Sequence, residues 1–255
     1  MKKLLTLIFI SFSLLVYAEE NKYQSPMTIY KNNFFISGNS TDQVKFQISA
    51  KYALLYPSSA GLFVGYTQLS KWNIYDKSSP FYDNNYMPEV FGQFESNNNF
   101  LDQDLGIIDY IQFSPIAHCS NGKDGDDSRS INTYYGQIQI SYGDHYNIGT
   151  NLKVFGYYNK SVKNKDITKY KGYYESDVFF RIKSKTVEYL DKEELHLKFG
   201  ANPFTNGWYC IEAQVRILTS KVQPKLFIQF YHGYSEFLID YNKKTENALR
   251  AGLVF

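Results

Sequence analysis

Segment after segment of this chain alternates apolar and polar residues with a period of two, and few patterns restrict a fold more tightly. Successive side chains of a β-strand point to opposite faces, so each such run has one greasy face and one wet face. In 46–56 the apolar row is Phe46, Ile48, Ala50, Tyr52, Leu54 and Tyr56, set against Gln47, Ser49 and Lys51. In 132–142 it is Tyr134, Ile138, Ile140 and Tyr142, set against Thr133, Gln137, Gln139 and Ser141. Similar rows occur at Leu152/Val154, Val178/Phe180/Ile182, Leu195/Leu197/Phe199, Tyr209/Ile211/Ala213/Val215/Ile217 and Leu226/Ile228/Phe230. Their polar partners include Lys153, Arg181, His196, Lys198, Glu212, Gln214 and Arg216. A soluble sandwich would bury the apolar rows as its core. A membrane barrel inverts the scheme, turning the apolar rows to lipid and the polar rows inward.

The ends of the chain favour the barrel. Residues 1–18 read as a secretory signal, with Lys2 and Lys3, an apolar stretch from Leu4 to Val16, and Val16-Tyr17-Ala18 as cleavage site. At the other end Leu249, Ala251, Leu253 and Phe255 alternate with Arg250, Gly252 and Val254, and a terminal strand closing on an aromatic is typical of bacterial outer-membrane barrels. The expectation is an all-β, transmembrane antiparallel β-barrel of about twelve strands with both termini periplasmic, an even count as such barrels require. It divides into a signal peptide at 1–18, a polar N-terminal segment at 19–43 and the barrel proper at 44–255. Ring closure would satisfy every backbone hydrogen bond inside the bilayer. Going up and down from residue 46, the segments 78–85 and 121–131 both reach the outer rim.

Nucleic acid is excluded as a partner, because 27 basic and 25 acidic residues are interspersed for a net charge of only +2. Cys119 and Cys210 both fall on inward-facing positions in an oxidising compartment, which allows a disulfide without requiring one. Two cysteines do not make a zinc site.

The chemistry concentrates between Phe113 and Tyr135, in FSPIAHCSNGKDGDDSRSINTYY. His118 and Ser120 stand two apart and so share a strand face, and Asn132 can return beside them on the next antiparallel strand. A serine hydroxyl is too weakly acidic to attack an ester unaided. An imidazole must take its proton, and a third group must fix the imidazole's tautomer and direction. Asn132 belongs to the row of Tyr134, Ile138 and Ile140, so the three side chains face outward, near the outer rim. Polar groups on a lipid face are costly unless they pair or perform a task, which points to membrane lipid as the substrate. The neighbouring Asp124, Asp126 and Asp127 would attract cations, although a solvated acidic loop reads the same way and the spacing is not that of an EF-hand.

These residues resemble the bacterial outer-membrane phospholipase A family. The likeness rests on HxSNG followed by DxSRSxN, on YTQ at Tyr66 to Gln68, on SSPF with NYxPE from Ser78 to Glu89, on DITKYxGYY from Asp166 to Tyr174, and on LIDYN from Leu238 to Asn242. What the resemblance implies is a twelve-stranded barrel that hydrolyses phospholipid acyl esters (A1/A2 activity), requires calcium and acts as a homodimer. Carried over by residue, it makes Ser120 the nucleophile, His118 the base and Asn132 the orienting group, with the backbone amides of Ser120 and Gly122 holding the oxyanion. It further implies calcium on the backbone oxygen of Lys123, the side chain of Ser128 and the backbone oxygen of Ser78 from a second subunit, with Gln68 at the dimer interface. Three departures stand out: Cys119 replaces an often acidic residue, Lys123 replaces a more usual arginine, and Lys163 to Lys165 occupy a stretch where relatives can carry an aspartate tied to a second calcium site. That second site is not carried over. The rival readings are a passive porin-like barrel with a degenerate site and a soluble secreted esterase.

Overall fold

The computed structural model describes residues 26–38, 44–55, 60–95, 108–183, 191–201, 204–216 and 224–255. In chain order its strands are β1 (Met27–Ile29), β2 (Phe34–Gly38), β3 (Val44–Leu55), β4 (Ala60–Trp72), β5 (Phe81–Glu95), β6 (Ile108–Ser120) and β7 (Ser130–Tyr142). There follow β8 (Tyr146–Lys160), β9 (Tyr174–Lys183), β10 (Asp191–Gly200), β11 (Trp208–Val215), β12 (Lys225–Gly233) and β13 (Thr245–Val254). From β2 to β13 each pairs antiparallel with its chain neighbours, and the β2–β13 ladder joins the ends into a closed barrel of 12 strands.

The ring starts earlier than residue 44. Part of the polar N-terminal segment 19–43 is in the ring: Phe34 to Gly38 run along Val254 to Arg250 and close the barrel. Short β1 pairs with the next stretch of β3, Met27 against Tyr52, so β1 and β2 together edge that strand. The break between them turns Tyr30 and Lys31 inward, and Asn33 Oδ1 accepts the Ser49 backbone N–H (2.5 Å). Four residues in a row, Tyr30 to Asn33, hid this strand, because no alternation is visible across the break.

The apolar rows face out as expected, with Ile211 42%, Leu197 44% and Val154 54% exposed, while Gln214, Glu212 and His196 are buried in the lumen. Tyr56 and Ile217 lie outside the described residues. The lumen is filled by paired polar groups together with apolar clusters such as Phe34, Ile36, Phe227 and Val254. Lys45 meets Glu236 at 2.9 Å, Arg250 meets the same carboxylate at 2.6 Å, and Lys198 meets Glu212 at 2.6 Å. Deeper in, Tyr135 donates to Glu89 (2.6 Å) and Gln112 to Tyr30 (2.7 Å). Each such charge is costly to bury alone, and the pairing makes the arrangement tolerable. A cavity of about 420 Å³ remains on the lumen side of β6 and β7. The loop 234–244 folds into the mouth rather than away from it, with Phe237 and Leu238 3% and 5% exposed. Both cysteines are free thiols, Cys119 half-buried and Cys210 buried, so the optional disulfide is not formed.

Candidate active site

Strand β6 does not run straight to the end that carries His118 and Ser120. Between Ser114 and Ala117 it carries one more residue than β7 opposite, and its ladder to β5 shifts over the same stretch. This is a β-bulge, and Pro115, which has no N–H to give a ladder, sits in it. The bulge reverses parity. Below it Phe113 faces out and Ser114 is fully buried, bonding Val90 and Ile116 carbonyls. Above it Cys119 packs inward against Ile131, Ile167, Leu238 and Tyr241, which leaves His118 and Ser120 on the outer face. Counting in twos from Phe113 would have put them in the lumen; the proline inside a strand pattern was the available signal.

His118 and Asn132 are direct cross-strand partners, and Nδ1 of the imidazole lies 2.6 Å from the asparagine Oδ1. An amide oxygen can only accept, so the ring proton belongs on Nδ1 and Nε2 keeps its lone pair. The Ser120 hydroxyl accepts the Gly122 backbone N–H at 3.2 Å. Among the described residues no hydrogen bond joins that hydroxyl to the imidazole. All three side chains are half-buried.

Gly122 has a left-handed φ of +64°, and a Cβ there would lie 2.8 Å from the Tyr86 ring. Only glycine meets both conditions without strain. The loop it opens is held by a residue not singled out from the sequence. Asn121, 3% exposed, donates to the Asp127 carbonyl (2.7 Å) and accepts from the N–H groups of Arg129 (2.9 Å) and Lys123 (3.4 Å), lacing the loop shut across its neck.

The same loop offers oxygen. Among the described residues the Ser128 hydroxyl and the Lys123 carbonyl take part in no hydrogen bond, while the lysine's own ammonium is drawn away to the Tyr82 carbonyl (2.6 Å). A hydroxyl and a carbonyl on one loop are donors suited to a hard cation, though too few to hold one alone. No group of three or more His, Cys, Asp or Glu side chains among the described residues could hold a metal ion. Of the acidic trio, Asp126 is engaged by Lys163, whose hydrogen bond and charge hold its carboxyl below the usual value. The lysine-rich departure thus supplies an internal cation to the acidic loop.

Ser78 is exposed at the tip of the β4–β5 turn, where it and Ser79 both take left-handed φ angles, 69° and 45°. Such angles strain residues bearing a Cβ. Trp72 restrains the turn by donating Nε1–H to the Ser79 carbonyl (2.8 Å). Residues 81–85, expected in the loop, already belong to β5. Ser78 is therefore not brought to Ser128 by contacts within this chain. Gln68 lies on the outward row of β4, where its Oε1 accepts from Tyr66 (3.2 Å) and its Nε2 donates to Ser70 (3.0 Å). It pairs across to Tyr86, and Tyr86 pairs to Ser120, so Gln68 and the serine share one row of the sheet, about 10 Å apart at two strand spacings.

A family profile described as phospholipase A1 matches residues 7–255. A putative phospholipase A1 of Neisseria meningitidis serogroup B is 31% identical over 224 residues, which is 84% of this chain and 54% of that protein. A phospholipase A1 of Salmonella typhimurium is 32% identical over 207 residues, 79% of this chain and 65% of that protein. The chain thus spans little more than half the length of the first and just under two thirds of the second. An outer membrane phospholipase of Salmonella typhi, crystallised as a dimer with bound calcium, has the same fold, with a TM-score of 0.74 and 25% identity over 94% of this chain and 96% of that one.

Proposed function

The chain belongs to the phospholipase A1 family, and from that premise we propose that it is a calcium-dependent outer-membrane phospholipase, hydrolysing phospholipid acyl esters at either glycerol position (A1/A2 activity) and activated by homodimerisation. The observation that carries this reading is the 2.6 Å contact of His118 with Asn132 on the lipid-facing side, beside a serine whose hydroxyl already receives a backbone N–H.

In the mechanism Ser120 Oγ attacks the ester carbonyl while Nε2 of His118 takes its proton. Asn132 keeps the ring in the tautomer that makes Nε2 basic and steadies the imidazolium that forms. The Gly122 N–H, which the Ser120 hydroxyl accepts in the free protein, would turn with that of Ser120 to the carbonyl oxygen as it gains charge, a role whose loss typically costs about 2.7–4 kcal/mol. His118 returns the proton to the departing glycerol oxygen and lysophospholipid leaves. Water, deprotonated by the same imidazole, then cleaves the acyl-serine and frees the fatty acid. Calcium would be held by the Lys123 carbonyl and the Ser128 hydroxyl, with the Ser78 carbonyl of a second subunit completing the set, and would supply positive charge beside the oxyanion. Gln68 would bond across the interface between two copies, on the row it shares with Ser120. A convex barrel wall has no groove for an acyl chain, so a second wall laid against it supplies one; association thereby controls activity.

A passive pore fits poorly with a lumen packed by ion pairs and closed by its own loop. The test is release of fatty acid from dispersed phospholipid, with calcium or with chelator. Turnover is expected in calcium and lost in chelator and in Ser120→Ala; a Ser120→Ala barrel that still turns over would end the mechanism.

A further inference from the structure

Two sequence motifs, DITKY and LIDYN, have no part in the chemistry above, yet both converge on the lumen side of the catalytic strands. The 161–173 loop reaches β7 through Asn164, whose side chain is fully buried. Its Oδ1 accepts the Ser130 N–H (3.2 Å) and its Nδ2 donates to the Ser130 carbonyl (3.0 Å). Both backbone groups of one residue are thus clasped by one amide, and Ser130 is the cross-strand partner of Ser120. Three residues on, Ile167 is fully buried in a cluster with Ile131, Leu238 and Tyr241, against which Cys119 packs. Ile131 and Cys119 are the inward neighbours of Asn132 and of the His118/Ser120 pair.

The other half of the cluster comes from the plug loop 234–244, and that loop is anchored independently of the catalytic strands. Leu238 N–H donates to Asn85 (3.0 Å), Ile239 N–H to Asp83 (3.1 Å), and Tyr82 to Asp240 (2.7 Å), all on β5. Tyr241 donates to Asp166 and so joins the two loops. Behind a sheet one strand thick this is the only layer of packing found at the site among the described residues. The other inward-facing apolar clusters, such as Phe34, Ile36, Phe227 and Val254, lie on other strands and do not touch β6 or β7.

We infer that Asn164, Ile167, Leu238 and Tyr241 form a lumen-side bracket of positioning residues, which sets the ends of β6 and β7 so that His118, Ser120 and Asn132 meet on the far side of the wall. The inference rests on the phospholipase reading. A displacement of about 1 Å at reacting atoms costs up to a hundredfold in rate, so a layer that touches no substrate can still govern turnover.

The experiment uses the full chain in detergent micelles with calcium. It measures kcat and KM on dispersed phospholipid, the rate of covalent labelling of Ser120 by a small sulfonyl fluoride, and the folded fraction from heat-modifiable electrophoretic mobility. Asn164→Ala and Leu238→Ala are expected to lower kcat and the labelling rate together, about tenfold per folded molecule, with KM within about twofold. Leu238→Met, which keeps the volume, is expected to restore most of both. Tyr241→Phe removes one hydroxyl and no volume, so it remains informative if the alanine variants fold poorly; a loss of about threefold is expected in both rates. Unchanged labelling and kcat per folded molecule in the three disruptive variants would overturn the bracket while leaving the hydrolase standing. A wild-type protein that neither labels nor hydrolyses would overturn the hydrolase reading, and the bracket with it.

Discussion

The two faces of this wall treat polar groups in opposite ways. In the lumen Glu236 is shared by Lys45 and Arg250, Glu212 is met by Lys198 and Gln229, and Glu89 by Lys31 and Tyr135. On the outer face, among the described residues, His118 bonds Asn132 through Nδ1 and keeps Nε2 uncommitted, while the Ser120 hydroxyl accepts one bond and gives none. Saturated groups hold a structure together; groups with spare valence are ready to bind something else. The lumen carboxylates are buried and the outer trio half-buried, and the two sets differ further in how many partners they have.

That contrast can be broken by experiment. Removing the single partner on the outer face, Asn132→Ala, is expected to cut kcat on the order of a hundredfold while the unfolding midpoint hardly moves; steady-state kinetics beside urea unfolding reads both. Gly122→Ala forces a side chain into a left-handed backbone and onto the Tyr86 ring, so kcat should fall on the order of tenfold with KM little changed, the mark of a lost transition-state contact. In the lumen the expectation reverses. Glu212→Gln takes from Lys198 its hydrogen-bonded carboxylate and should lower stability by up to about 3 kcal/mol, the low end for a broken buried pair because Lys198 is still partly solvated and has Asp177 opposite it on β9. Activity per folded molecule should stay as it was. A Glu212 variant that folds normally but has lost activity would erase the distinction between the faces.

The smallest effect concerns pH. Burial alone would raise the Glu236 carboxyl, but Lys45 and Arg250 outweigh it and hold the group at about 2, against an ordinary value of 4.5. A depressed carboxylate contributes stability that is complete above its unfolded value and is lost as pH falls through the folded one. The contribution of Glu236 to the plug's anchoring is therefore expected to be flat from about pH 8 to about pH 5.5 and to weaken only below about 4.5, measured as the difference in thermal unfolding between wild type and Glu236→Gln across a pH series.

Much of this was legible in the sequence because strand alternation is a local signal. The outward rows from β3 to β12 can be read two residues at a time, and the His118/Asn132 register follows from a hairpin in which the two lie fourteen residues apart. What escaped was non-local or non-repeating. The β1–β2 edge is broken at Tyr30 to Asn33 and shows no period. Asn164 and Asn121 look like any loop asparagine until the backbone groups they clasp are in place. The plug is decided by contacts over more than a hundred residues, Tyr82 with Asp240 and Asp83 with Ile239, which no window on the chain can see.

The extra residue beside Pro115 bears on how a protein of this kind can change over time. Two residues of β6 there stand opposite one of β7, so losing one of them would straighten the strand and leave the imidazole still facing Asn132 on the outer side. Losing one residue between the bulge and His118 would instead slide the histidine opposite Thr133 and carry imidazole and hydroxyl round to the interior. The kink is thus a place where the chain's length can drift without moving the chemistry, and the few residues after it are a place where it cannot.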